Sequence, residues 1–146
     1  MDLISPITIT NLDAAEIQLR RAILLFLEEQ DFVSALTLAG AAEEILGMLL
    51  REKGQQSALD TLIETSCRLE KKFMGSSSLP KEVARLANVF RNRLKHYNSQ
   101  EAITFSAGWY AAEMIDRAIQ NYRSLTGQVT KEMTRFNLEV EIPKLC

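Results

Sequence analysis

From Phe32 to Lys53 the chain carries apolar residues on two helical stripes at once, Ala35, Leu38, Ala42, Ile45 and Leu49 among them. A helix apolar on two sides needs partners on two sides, so this segment predicts a central helix with others around it. The flanking segments supply those partners. Leu12, Ala15, Leu19, Ala22 and Phe26 recur at spacings of three and four, one face of a first helix that Thr10 or Asn11 can cap. After Gly54, a stop for the central helix, a third helix is predicted from a Ser57 cap through Leu59, Leu62, Ile63 and Leu69 to just before Gly75. Gly75-Ser76-Ser77-Ser78 reads as a loop. A fourth helix opens at Ser78 and Pro80 and runs through Val83, Ala87, Phe90 and Leu94 to about Tyr97. The capping-box pattern at Asn98 to Glu101 predicts a long fifth helix to Leu125, ended by Gly127. Its inner face is expected to hold Ala102, Phe105, Trp109, Ala112, Ile119 and Tyr122, with Tyr110 more exposed.

The expected fold is all-α: an up-and-down four-helix bundle core with one additional helix or extension. Residues 1–146 form a single domain, its core spanning about 12–127, with terminal extensions 1–10 and 128–146. Ile7-Thr8-Ile9-Thr10 and Leu138-Glu139-Val140-Glu141-Ile142 alternate with period two, which predicts short strands at the termini. A helical turn around Met133 to Asn137 is the competing reading.

Net charge is −2 and the pI about 5.5, which argues against a general coating of nucleic acid. The charge is uneven, however. Between Lys81 and Tyr97 five Lys or Arg face the single Glu82. Cys67 and Cys146 match no metal or redox spacing and read as free thiols in a reducing compartment. No basic segment followed by a long apolar run opens the chain, and the longest uninterrupted apolar run, Ala22 to Leu27, is too short to span a bilayer. A cytoplasmic protein with no membrane partner is expected.

The chemistry concentrates at Arg91-Asn92-Arg93-Leu94-Lys95-His96, which holds the only histidine of the chain. Histidine gives and takes a proton near neutral pH, and the cations around it suit a phosphate. At about 100° per residue, Asn92 and His96 fall nearly opposite the apolar stripe of the fourth helix, and Arg91 and Arg93 fall on its flanks. The plain alternative is an exposed histidine at a helix end, favoured by the helix dipole. Two copies of this helix meeting across a two-fold axis would line one cleft with two arginines and two histidines. Nothing in the sequence gathers carboxylates for a divalent metal, and no cofactor is implied. Phosphate-ester chemistry with the RNA 2′-hydroxyl as nucleophile is the reaction this set suits.

Arg91-Asn92-x3-His96 resembles the R-x4-6-H motif of HEPN domains (higher eukaryotes and prokaryotes nucleotide-binding), including the polar residue after the arginine. Ala39-Gly40-Ala41-Ala42-Glu43-Glu44-Ile45-Leu46 resembles the small-residue A-A-E segment on that family's second helix, and the helix order is similar over roughly Leu12 to Gly127. The resemblance implies a four-helix core, a homodimer and, in active members, a metal-independent endoribonuclease of defence or toxin type. Arg91 would stabilise the scissile phosphate and His96 would act as acid or base. Asn92 would orient the histidine or bind phosphate, with Arg93 and Lys95 as further binding residues. Toxin members partnered by an antitoxin often carry tyrosine two places after the histidine; here Asn98 holds that place and Tyr97 precedes it. Other members bind a partner protein or a nucleotide without cutting RNA, which is the alternative function.

Glu43 shares a stripe with Leu36, Gly40, Gly47 and Leu50, a partly buried setting. It is expected to orient Arg91 or Arg93, to make a structural ion pair, or to lie near enough to solvent for the carboxylate to escape. Gly40 and Gly47 each cost roughly 1 kcal/mol of helix propensity against Ala, which the close approach of another helix would explain.

Overall fold

In the computed structural model, which describes residues 1–96 and 102–142, Thr10 begins the first helix, α1 (Asn11–Leu24). Its hydroxyl accepts from Asp13 N while the Asp13 carboxylate accepts from Thr10 N at 2.9 Å. This reciprocal pair satisfies donors that a helix start leaves open. A π-helical turn, Leu25–Glu29, extends α1 to Gln30, whose left-handed backbone (φ 53°) turns the chain. Asp31 then caps α2 (Phe32–Glu52) through Ser34 N.

Helix α2 is the central element, as its two apolar stripes require. It packs against α1 on one side and against α6 (Ala107–Thr126) on the other. Ala35, Ala39, Ala42 and Leu46 are fully buried between them. By length and composition alone α2 is apolar enough to cross a bilayer, although no uninterrupted run in the sequence announced it. Packing on two sides accounts for that composition.

Ser57 caps α3 (Ala58–Met74) with a second reciprocal pair to Asp60. Gly75 and Gly127 end α3 and α6 in the left-handed conformation that glycine adopts without penalty. The fourth predicted helix is broken. Asn88 divides it into α4 (Pro80–Ala87) and α5 (Val89–Lys95). The cause is tertiary: Asn88 is buried and its Oδ1 accepts from Arg117 Nη2 of α6 at 2.8 Å.

The fifth predicted helix begins later than expected. Ala102 to Ser106 is not helical, and α6 starts at Ala107. In this lead-in Phe105 stacks on Phe90 at 4.5 Å and 7°, and Tyr110 packs on Phe90 at 4.5 Å. Tyr110 therefore joins an aromatic cluster instead of facing solvent, and Trp109 is half-buried, not core. The predicted cap at Asn98 to Glu101, and Tyr97 and Cys146, lie outside the described residues.

The expected terminal strands are absent among the described residues. Residues 131–139 form a seventh helix, α7 (Lys131–Glu139), the competing reading. Met133 and Phe136 fall on one helical side and are buried, and Arg20 holds Glu132 through two bonds of 3.0 Å, tying α7 to α1. The alternation in Leu138 to Ile142 finds no partner strand, and Leu138 is exposed.

Candidate functional site

Helix α5 meets α2 at Gly40. A Cβ placed on Gly40 would collide with Arg91 Cδ and stand 2.6 Å from Arg91 Cγ. The missing side chain is what admits the aliphatic stem of Arg91, so that a side chain, not a whole helix, explains this glycine. Arg91 is consequently only 13% exposed. Its guanidinium is held on two edges. Nε and Nη2 donate to Asn92 Oδ1 at 3.2 and 3.1 Å. Nη1 faces Glu43 Oε2 at 3.6 Å and Glu44 Oε2 at 3.9 Å.

Glu43, 3% exposed, lies between two arginines. Arg117 Nε stands 3.8 Å from its Oε1, and Arg117 is itself buried. Burial pulls the Arg117 guanidinium below its ordinary pKa while Glu43 and Glu113 oppose that pull. Arginine starts so high that the group stays charged near neutral pH. A buried charge needs a partner, and Glu43 provides it. The Glu43 carbonyl accepts from Asn121 Nδ2 at 3.4 Å, and Asn121 Oδ1 accepts from Ala58 N at 2.7 Å. The Glu43 carboxylate thus joins α2 to α5 and α6, and its backbone carbonyl reaches α3 through Asn121.

Above Gly40 a small cavity of about 80 Å³ is lined by Thr37, Gly40, Ala41, Glu44, Arg91 and Lys95. Lys95 Nζ lies 3.7 Å from Glu44 Oε2. His96 follows at the exposed end of α5. Its N–H still donates to Asn92 O at 3.1 Å, but its backbone is extended (φ −118°, ψ 130°). His96 is therefore the residue that closes α5, and its bond to Asn92 O keeps it about 140° around the axis from Arg91, as on a straight helix. Asn92 is exposed and Arg93 half-buried.

Of the predicted site residues, Arg91, Asn92 and Glu43 are in contact, Lys95 joins them through Glu44, and His96 stands at the solvent-facing end. Asn92 serves the arginine, through its side chain, and His96 only through its backbone. Arg117, Asn88 and Asn121 escaped the sequence reading. Their signal was present in part: Arg117 and Asn121, four apart, share an otherwise apolar helical side with Met114 and Ala118. Chemically, the site offers a fixed guanidinium fork, a half-exposed ammonium and an exposed imidazole, groups of the kind suited to binding phosphate and moving one proton.

A separate cavity of about 320 Å³ opens between α3 and α6, with Leu62, Glu113, Asp116 and Arg117 among its walls. Burial raises the Glu113 carboxyl pKa; Arg117 and a Trp109 hydrogen bond oppose the rise, and Asp116 adds to it. A carboxylate with a raised folded-state pKa costs stability above its unfolded value and ceases to cost it once protonated. Glu113→Gln is therefore expected to stabilise the protein at pH 7, with the gain vanishing as pH falls through the carboxylate range. Urea unfolding of both proteins across that range checks the sign.

No family model matches the chain, and comparison with curated proteins and with solved structures found no match.

Proposed function

We propose that this chain is an HEPN-like protein with an up-and-down four-helix core that acts as a cytoplasmic homodimer and cuts RNA without a metal ion. The observation that carries the reading is the pairing of two segments far apart in sequence. Arg91, of the Arg-x4-His segment, lies over Gly40 and pairs with Glu43, both from the small-residue A-A-E segment. Each segment separately resembles the family, and their contact gives each a physical reason for its composition.

In this mechanism His96 takes the proton of the RNA 2′-hydroxyl and that oxygen attacks the neighbouring phosphorus. Arg91 binds the non-bridging oxygens, where charge builds up, and Asn92 holds the arginine's other edge. The P–O5′ bond breaks, the leaving oxygen takes a proton from water, and a 2′,3′-cyclic phosphate and a 5′-hydroxyl result. DNA lacks the nucleophile and is inert. Arg93 and Lys95 add positive charge for neighbouring phosphates, and an antitoxin or similar partner would mask the cleft.

A second reading rests on the low exposure of Arg91. If its role is structural, the domain is a non-catalytic module that binds a partner protein or a nucleotide. Purified protein incubated in EDTA with mixed-sequence RNA, and with DNA of the same sequences, separates the two. Cleavage of RNA alone supports the enzyme; intact RNA with a folded, dimeric protein supports the module.

Gly40→Ala tests the seat of Arg91. The change gains about 1 kcal/mol of helix propensity, which offsets lost packing. Melting is therefore expected to shift by only a few degrees. Arg91 must leave its place, so RNA cleavage is expected to fall more than about tenfold. Unchanged cleavage would show that the seat is irrelevant to activity.

A further inference from the structure

Glu43 and Glu44 are adjacent in sequence and face the same arginine, yet their settings differ. Glu43 is 3% exposed and fixed between Arg91 and Arg117. The Glu44 side chain is 49% exposed and stands 3.9 Å from Arg91 Nη1 and 3.7 Å from Lys95 Nζ, beyond hydrogen-bond range of both. It borders the small cavity over Gly40 together with those two cations and Thr37. Half-exposed pairs of this kind contribute little and exchange readily with other ions.

We propose that the Glu44 carboxylate is a displaceable stand-in for an RNA backbone phosphate, holding the Arg91–Lys95 seat until a phosphodiester takes it. Charge at the seat supports this. Glu43 is shared between Arg91 and Arg117 in the interior, and Glu44 faces Arg91 and Lys95 at the rim. Once Glu44 swings into solvent, Lys95 and an Arg91 that shares Glu43 with Arg117 are left facing the seat, a net positive setting for one singly charged phosphodiester. The rim position of Glu44 lets it leave without disturbing any buried group. Wild-type RNA binding is weakened by the need to expel this internal anion, which acts as a built-in competitor. The inference rests on the RNA-cleaving reading above and names the group its substrate must displace.

The test measures binding, not cleavage. A 2′-O-methyl oligoribonucleotide, which lacks the nucleophilic hydroxyl, is titrated with wild type, Glu44→Gln, Glu52→Gln and Lys95→Ala while fluorescence anisotropy is followed. Glu52 lies eight residues further along α2, about 12 Å away, so its variant controls for net charge. Glu44→Gln is expected to bind roughly two- to fivefold tighter than Glu52→Gln, with the advantage shrinking as salt rises. Lys95→Ala is expected to bind more weakly than wild type. Equal affinities for Glu44→Gln and Glu52→Gln would overturn the proposal, and if wild type still cuts unmodified RNA the ribonuclease reading survives it. No binding by any of the proteins, with unmodified RNA left intact by wild type, would overturn both.

Discussion

His96→Ala is expected to lower RNA cleavage by about 10²- to 10⁴-fold while leaving the fold unchanged. The side chain sits exposed at the end of α5, and only its backbone N–H is used, by Asn92 O. Truncation therefore removes the proton carrier and no packing. Arg91→Ala is expected to cost about 10²- to 10³-fold through lost stabilisation of the phosphate. It also exposes Glu43 to a change of partner, so its melting point must be measured alongside. In the proposed mechanism the two residues act in one step, so the double variant is expected to lose far less than the product of the two effects. Near-multiplicative losses would indicate that they act in separate steps. Retention of full cleavage by His96→Ala would remove histidine from the mechanism.

The second large effect is on stability. Glu43→Ala leaves Arg117 buried without its carboxylate, and breaking a buried ion pair costs about 3–5 kcal/mol. The contacts of 3.6 and 3.8 Å favour the lower end of that range. A loss of about 3 kcal/mol corresponds to a fall of roughly 6–12 °C in melting temperature for a domain of this size. Glu44→Ala, one residue along, removes only a half-exposed partner and is expected to cost under about 1 kcal/mol. Adding Arg117→Met to Glu43→Ala is expected to recover much of the loss, since the stranded charge disappears. Urea unfolding of the three variants decides the matter. Equal costs for Glu43→Ala and Glu44→Ala would show that Glu43 does not organise the interior.

The helices were legible where the causes are local. Apolar spacing located α1, α2 and α3, and Thr10 and Ser57 marked two starts through side chains that bond three residues ahead. The break at Asn88 was illegible because its cause, Arg117, lies 29 residues later in the chain. The late start of α6 has the same character, since Phe105 is held outside the helix by stacking on Phe90. Around Leu138 the alternation was real but short, and burial of Met133 and Phe136 decided for helix. Within the site, the sequence reading placed Glu43 beside Arg91 or Arg93, and Arg91 is a partner observed. It missed Arg117 because the requirement for a second cation arises only when α6 closes over α2. Gly40 was attributed to an approaching helix because no wheel shows which side chain crosses it.

The most direct test of the Arg91–His96 site is the identity of the ends left on RNA cut in EDTA by wild type and by His96→Ala. The mechanism predicts 2′,3′-cyclic phosphate and 5′-hydroxyl ends from wild type, and neither from His96→Ala. Ends bearing a 3′-hydroxyl and a 5′-phosphate, or equal cutting by His96→Ala, would contradict it.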